Sequence, residues 1–180
     1  MESIKMQKKS WTPLIVATVF GLVALAIVLA GFTIPIPGAD VVTDPREIFV
    51  TFGAGLTGPI GALIIGIFAG IAEPGGIPLA SLIGHIAGAL WMAYAYKKLV
   101  YERMQMPSRL AGWAILVVVY YYVFVVPGFV IGLAAFYGEA DPVGLYMTLA
   151  KGVIIEVLVT TTVTVLAMLA LPKKYQKPLW

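Results

Sequence analysis

Apolar residues form five long runs along the chain, and the short segments between them carry most of the charge. The runs cover residues 13–31, 48–72, 77–96, 110–137 and 143–171. Each is close to, or longer than, the roughly 20 residues that a helix needs to cross the hydrocarbon core of a bilayer. The pattern predicts an all-α integral membrane protein that forms one transmembrane domain over residues 1–180.

The second run contains a signal for a break. Gly55-Leu-Thr-Gly58-Pro59 lies in its middle, and proline cannot donate the backbone hydrogen bond that would continue a helix through this point. The run therefore predicts either one long helix or two short helices folded at Gly58 and Pro59.

The distribution of charge favours the two short helices. With six spans and the N-terminus inside, one side of the membrane holds ten basic residues, whereas five spans would divide them between the two sides. Those ten residues are Lys5, Lys8, Lys9, Lys97, Lys98, Arg103, Arg109, Lys173, Lys174 and Lys177, and the other side holds Asp40, Asp44, Glu47, Glu73, Glu139, Asp141 and Arg46. We predict spans at 13–31, 46–57, 59–72, 77–97, 110–136 and 143–171, the second and third short, with both termini cytoplasmic in the cell membrane.

Composition excludes several other classes of protein. Only 12% of the residues are charged, which leaves no room for a sizeable soluble domain. The chain has no cysteine and one histidine, so we expect no metal site and no cofactor. The basic N-terminus precedes an apolar run without a cleavage signal, which predicts a retained first helix. The basic residues lie at helix ends, so we expect them to set the orientation of the protein in the membrane, and we expect no nucleic-acid partner.

The glycines favour close helix packing. Gly66 and Gly70 form a small-xxx-small pair, as do Ala80, Gly84 and Gly88 in the next helix, and we expect the two faces to touch. Residues 53–58 also match the G-x-G-x-x-G pattern, but no strand precedes them, so packing is the better interpretation.

Three ionisable residues lie inside apolar runs, where a charge is costly and commonly functional. Glu156 shares a helix face with Thr160 and Thr164, Lys151 lies deeper than the preceding acidic loop, and His85 lies in the fourth span. Glu156 or Lys151 would pair with a charged group of a substrate. The alternatives are a carboxyl that joins two helices, a lysine that extends to the interface, and a histidine that only packs.

Tyrosines and a long loop complete the candidate site. Tyr120, Tyr121 and Tyr122 lie near the predicted mid-bilayer, so at least one hydroxyl should face the bundle, and Pro127 should kink the same helix. The outer loop that begins at Ile34 has about 15 residues, a length typical of a lid or binding element.

Several glycine and proline motifs recur between residues 44 and 152: Asp44-Pro45-Arg46, Gly58-Pro59-Ile60-Gly61, Gly66, Gly70, Glu73-Pro74-Gly75-Gly76-Ile77-Pro78, Ser81-Leu82-Ile83-Gly84 and Lys151-Gly152. Together they resemble those of the membrane-embedded substrate-binding S components of energy-coupling-factor vitamin transporters. The resemblance covers residues 30–98 and 148–160. It implies six helices, cytoplasmic termini, and a pocket for a vitamin or vitamin precursor lined by the loop from Pro35 to Arg46 with Glu73, His85 and Lys151.

The resemblance also implies partners, namely a transmembrane coupling subunit and two ATPase subunits. In the family, small residues on the first helix pack against the coupling subunit, and Ala17 with Gly21, or Ala26 with Ala30, are the candidates here. The expected ligand contacts are Arg46, Glu73, His85, Tyr120, Tyr121, Lys151 and Glu156, and the expected packing or partner contacts are Ala17, Gly21, Gly66, Gly70, Gly84 and Gly88.

Two other functions compete with transport. The same core is similar to the membrane sensor domain of some histidine kinases, but the chain ends at Trp180 without an output domain. A structural or regulatory subunit of a larger complex would use the same glycines for packing alone. We do not expect an enzyme, since the sequence offers no catalytic constellation.

Overall fold

The computed structural model describes residues 11–35, 42–73 and 76–180. The predictions for Lys5, Lys8, Lys9, Asp40 and the Pro74-Gly75 turn lie outside these ranges. Six helices occupy the described part: α1 Thr12–Leu29, α2 Arg46–Ile71, α3 Pro78–Tyr101, α4 Ser108–Tyr137, α5 Pro142–Gly152 and α6 Ile154–Ala170. Strands β1 Ile34–Pro35 and β2 Val42–Thr43 pair antiparallel between α1 and α2.

Helix length and hydropathy indicate a multi-pass membrane protein. Helices α1 to α4 are each long and apolar enough to cross a bilayer, and α5 with α6 forms a fifth candidate span bent by 47°. The last span, predicted as one continuous helix, is therefore two helices. Gly152 ends the first of them, and the low helix propensity of glycine favours an interruption there.

Helix α2 is a tight helical hairpin. Gly58 leaves helical geometry with φ +83° and ψ 179°, a conformation that L side chains rarely adopt, and Pro59 follows it. Arg46 donates a hydrogen bond to the carbonyl of Ala69, which would lie about 35 Å away along a straight helix. The break predicted at Gly58 and Pro59 is confirmed.

The two arms of the hairpin, residues 46–57 and 59–71, are each about 18–20 Å long, shorter than a hydrocarbon core of about 30 Å. The tip of the hairpin lies beside the C-terminal segment, because the backbone N–H of Leu179 donates to the carbonyl of Leu56 at 2.8 Å. Lys97 in turn donates to the carbonyl of Trp180 at 2.7 Å. The tip of the hairpin and the end of α3 therefore both contact the C-terminal segment.

Charges separate between the two ends of this bundle. One end of the bundle holds the tip of the hairpin, the last turns of α3 and the C-terminal segment, and we call it the basic end after Lys97, Lys98 and Lys173. The other end holds the open side of the hairpin, the start of α3 and the end of α4, and we call it the acidic end after Asp44, Glu47 and Glu73. Tyr137 and Leu79 join α4 to α3 there by a hydrogen bond of 3.3 Å.

The prediction that the small residues of α2 touch the small residues of α3 is wrong. A Cβ added to Gly70 would lie 2.6 Å from the Cα of Leu82, so this glycine meets a leucine of α3. The small residues of α3 face α4 instead, where a Cβ on Gly84 would lie 2.7 Å from the carbonyl oxygen of Val125 and one on Gly88 2.5 Å from the ring of Tyr120. Helix α3 has partners on two sides, and periodicity does not tell which side meets which helix.

Ala17 and Gly21 pack within the chain. Both residues are buried. Ala17 lies against Gly61, where an added Cβ would be 3.0 Å from the Ala17 side chain, and Gly21 lies against Phe68, whose ring would be 2.6 Å from a Cβ added to Gly21. This pair therefore joins α1 to the second arm of α2. Ala26 lies on the exposed side of α1, and Ala30, the residue that follows the helix, is exposed as well.

Helix α4 contains a π-helical segment at Tyr120–Val125, which ends two residues before Pro127. Pro127 lacks the N–H that would continue the ordinary ladder, and a π-helical segment accommodates such a gap. Tyr120 and Tyr121 are both buried within the bundle, as expected for tyrosines at this depth. Their phenol rings contact each other edge to face, with centroids 5.3 Å apart.

Candidate ligand-binding cavity

A cavity of about 70 Å³ lies at the acidic end of the bundle. Strand β2, both sides of the α2 hairpin and helices α3 to α6 contribute to its wall, so only the folded chain assembles it. Its lining residues include charged, aromatic and aliphatic side chains: Val42, Thr43, Asp44, Arg46, Glu47, Glu73, His85, Tyr121, Val125, Val126, Phe129, Leu149, Val153 and Glu156.

Arg46 joins two carboxylates beneath β2. Its Nε donates to both oxygens of Asp44 at 2.9 Å, and its Nη2 lies 2.8 Å from Glu73. Arg46 is 4% exposed, and such a buried guanidinium needs partners for its charge. The three side chains tie the start of the hairpin to the loop that follows its end.

Burial raises the pKa of Asp44, and the Arg46 guanidinium opposes that effect. Asp44 lies two residues before α2 begins and also accepts the backbone N–H of Arg46, the first residue of this helix, at 3.0 Å. The carboxyl therefore depends on Arg46 for its charged form.

Glu47 and His85 form a second buried pair. His85 Nε2 lies 2.6 Å from Glu47 Oε1, and Tyr120 donates its hydroxyl to the other oxygen of Glu47. The opposite ring nitrogen, Nδ1, lies 2.7 Å from the carbonyl oxygen of Ser81. Because both nitrogens face acceptors, the geometry fits a doubly protonated imidazolium paired with a carboxylate.

Ser81 connects the two pairs. Its hydroxyl donates to Glu73 at 2.8 Å and lies 3.0 Å from His85 Nδ1. The result is a continuous hydrogen-bonded chain, which we call the polar chain, through Tyr120, Glu47, His85, Ser81, Glu73, Arg46 and Asp44. Its members satisfy one another across the mouth of the hairpin.

Glu156 stands apart from the polar chain on the opposite wall. It is 9% exposed, accepts a hydrogen bond from Thr43 of β2, and accepts another from Tyr121 at 3.0 Å. Tyr121 also contacts the hydroxyl of Thr160 at 2.9 Å. Within the described ranges, the salt bridges of buried carboxylates involve Arg46 and His85, and none of them reaches Glu156.

A second cavity, of about 110 Å³, lies on the far side of the contact between Thr43 and Glu156. Ile34 and Pro35 of β1 and Thr160 of α6 are among the residues that line it. Thr43, Asp44 and Glu156 line both cavities. The hydrogen bond from Thr43 to Glu156 is thus part of the partition between them.

Most of the residues expected to bind a ligand meet at the first cavity. Five of them line it: Arg46, Glu73, His85, Tyr121 and Glu156. Tyr120 lies behind the wall and supports Glu47. Lys151 is exposed on α5 and lines neither cavity.

The resemblance includes Thr43 and Asp44 only as members of the loop from Pro35 to Arg46, and the sequence does not predict Glu47 as a ligand contact. One signal for Glu47 is present, because it directly precedes a long apolar run and no other charge follows it up to residue 72. The sequence does not single out Thr43 within the loop, since its position depends on the pairing of β1 with β2.

Comparison of the chain with protein-family models, with curated proteins and with solved structures returned no match.

Proposed function

We propose that this protein is the substrate-binding membrane subunit of an importer of the energy-coupling-factor type, and that it captures a vitamin or vitamin precursor at the acidic end of the bundle. The observation that carries the proposal is the cavity around Arg46, Glu73, His85, Tyr121 and Glu156, which combines polar groups with an apolar wall. Cavities of that composition, set between helices, are typical small-molecule sites.

The proposed orientation follows from the two ends of the bundle. The basic end would face the cytoplasm, where Lys and Arg accumulate, and the acidic end would face outward. Both termini would then be cytoplasmic, and the hairpin arms would be the short second and third of six membrane segments. A ligand would enter from outside, beneath β1 and β2.

The size of the cavity limits the ligand to a small molecule and implies that Thr43 moves when the ligand binds. About 70 Å³ holds only a few water molecules, so Thr43 must leave Glu156 before a vitamin-sized ligand can enter. That movement would join the two cavities into a space larger than the roughly 150 Å³ that accommodates benzene in another protein. A ligand with one aromatic ring fits this space better than a flavin.

A coupling subunit would need a surface on α1 other than Ala17 and Gly21, since that pair packs against α2. Ala26, Ala30 and the apolar residues Ile15, Val19 and Leu22 are exposed on this helix. They form the surface on which we propose a partner or lipid contact.

The test is native mass spectrometry with metabolite extraction on detergent-purified protein. We expect the wild type to retain a small molecule, Glu156→Gln to lose it, and Lys151→Met to keep it, because Lys151 lies outside both cavities. An empty, folded wild type expressed in rich medium would contradict the proposal, as would equal retention by both variants.

The polar chain favours a second candidate, a structural subunit of a larger complex. Each of its members has a partner within the chain, so helix joining alone accounts for them. Copurification of a stable protein partner with an empty bundle would support this candidate over transport.

A further inference from the structure

We propose that the ligand is a single-ring organic cation, and that Glu156 is the carboxylate that pairs with its positive charge. This inference rests on the proposed function and assigns the substrate class of the same cavity.

Charge balance in the wall is the first step. Four carboxyl groups line the first cavity, those of Asp44, Glu47, Glu73 and Glu156, against one guanidinium and one imidazole. Arg46 and His85 are already engaged by the first three carboxyls. The remaining carboxyl, that of Glu156, has only hydroxyl partners within the described part of the chain.

Burial makes this imbalance consequential. An ionised carboxylate removed from water costs several kcal/mol unless a positive charge accompanies it, and without such a charge a buried carboxyl takes up a proton instead. A cation bound beside Glu156 would supply that charge, whereas an anion would add to the excess of negative charge in the wall. A neutral ligand would leave the imbalance unchanged.

The position of Glu156 fits a ligand rather than an internal partner. Its side chain faces two cavities that meet at the Thr43 contact, so a ligand that displaces Thr43 reaches the carboxylate directly. Tyr121 and Phe129 line the same cavity and offer aromatic rings, which attract organic cations. Across the described residues, no group of three His, Asp or Glu side chains is arranged to hold a metal ion, which favours an organic cation.

The experiment compares three probes of similar size on the full chain in nanodiscs: N-methylpyridinium as the cation, 3-methylpyridine as the neutral ring and benzoate as the anion. Binding is measured by equilibrium dialysis and by the shift in thermal unfolding at neutral pH. We expect the wild type to bind the cation at least about tenfold more tightly than either other probe, which corresponds to about 1.4 kcal/mol. We expect Glu156→Gln to lose that preference and Glu102→Gln, an exposed carboxylate at the basic end, to retain it.

Several outcomes would overturn the inference. These are no binding of the cation up to millimolar concentration, equal binding of the cation and the neutral ring, or a preference that Glu156→Gln leaves intact. If Glu156→Gln does not fold, the comparison of probes on the wild type still decides, and Glu156→Asp, which keeps the charge, should retain the preference. A neutral or anionic metabolite that copurifies with the wild type would contradict the cationic ligand but would still support the proposed function. A wild type that carries no metabolite would contradict both proposals.

Discussion

Replacement of Arg46 by methionine should destabilise the protein strongly. Arg46 holds two buried carboxylates, Asp44 at 2.7 Å and Glu73 at 2.8 Å, and the substitution leaves both without a cation. Removing one partner of a buried ion pair typically costs about 3–5 kcal/mol. We expect Arg46→Met to lose about that much unfolding free energy.

A triple variant distinguishes loss of stability due to unpaired charges from loss due to poorer packing. Arg46→Met combined with Asp44→Asn and Glu73→Gln removes all three charges while keeping oxygen atoms that can accept from the Arg46 backbone and from Ser81. Replacing a buried ionic cluster by neutral groups of similar volume is often close to neutral. The triple variant should lie within about 1 kcal/mol of the wild type.

Unfolding is measured as an SDS titration in mixed micelles, followed by tryptophan fluorescence. Arg103→Met, an exposed arginine at the basic end, is the matched control and should change the unfolding free energy by less than about 0.5 kcal/mol. A loss below about 1 kcal/mol in Arg46→Met, or a triple variant as unstable as the single one, would refute the reasoning.

The loss in Arg46→Met should also depend on pH. Burial raises the pKa of Asp44 even with Arg46 present, and removing Arg46 raises it further. The folded state then holds the Asp44 proton more tightly than the unfolded chain. The penalty is therefore absent below the unfolded-state pKa, grows as the pH rises toward the folded-state pKa, and is full above it. Acidification should recover part of the lost stability of Arg46→Met relative to the wild type.

Two further predictions concern packing inside the bundle. Gly70→Ala should cost about 1–3 kcal/mol of unfolding free energy, because its Cβ would lie 2.6 Å from a backbone Cα of α3. Gly112→Ala should cost less than about 1 kcal/mol, because its Cβ would lie 2.6 Å from the sulfur of the flexible Met104 side chain and 3.0 Å from a methyl group of Val100, with no backbone atom among these contacts. A loss as large as that of Gly70→Ala would contradict the packing reason. Thr164→Val should cost about 1–3 kcal/mol, since Trp113 donates its indole N–H to the Thr164 hydroxyl at 2.9 Å. Thr161→Val is the control in the same SDS titration and should be neutral, because the Thr161 hydroxyl has no hydrogen-bond partner in the described ranges.

Much of the candidate site could be predicted from the sequence, because an ionisable residue inside an apolar run is costly to bury and therefore indicates a functional or paired position. Glu156, Thr160 and Thr164 lie on one buried face of α6, as their spacing predicts. His85 and Glu73 also reach the cavity. Lys151 does not, because sequence distance locates a residue along a helix but does not tell which neighbouring element its side chain faces.

The sequence by itself determined the apolar runs, the break at Gly58 and Pro59, and the separation of acidic from basic ends. These features depend on local composition and on the backbone limits of glycine and proline, which act within a few residues. Only the tertiary structure decided which helices meet at α3, how Glu47 finds His85, and which carboxyl of the first cavity has no basic partner among the described residues. Each of those outcomes joins residues far apart in the chain, and helical periodicity alone does not specify which faces of different helices come into contact.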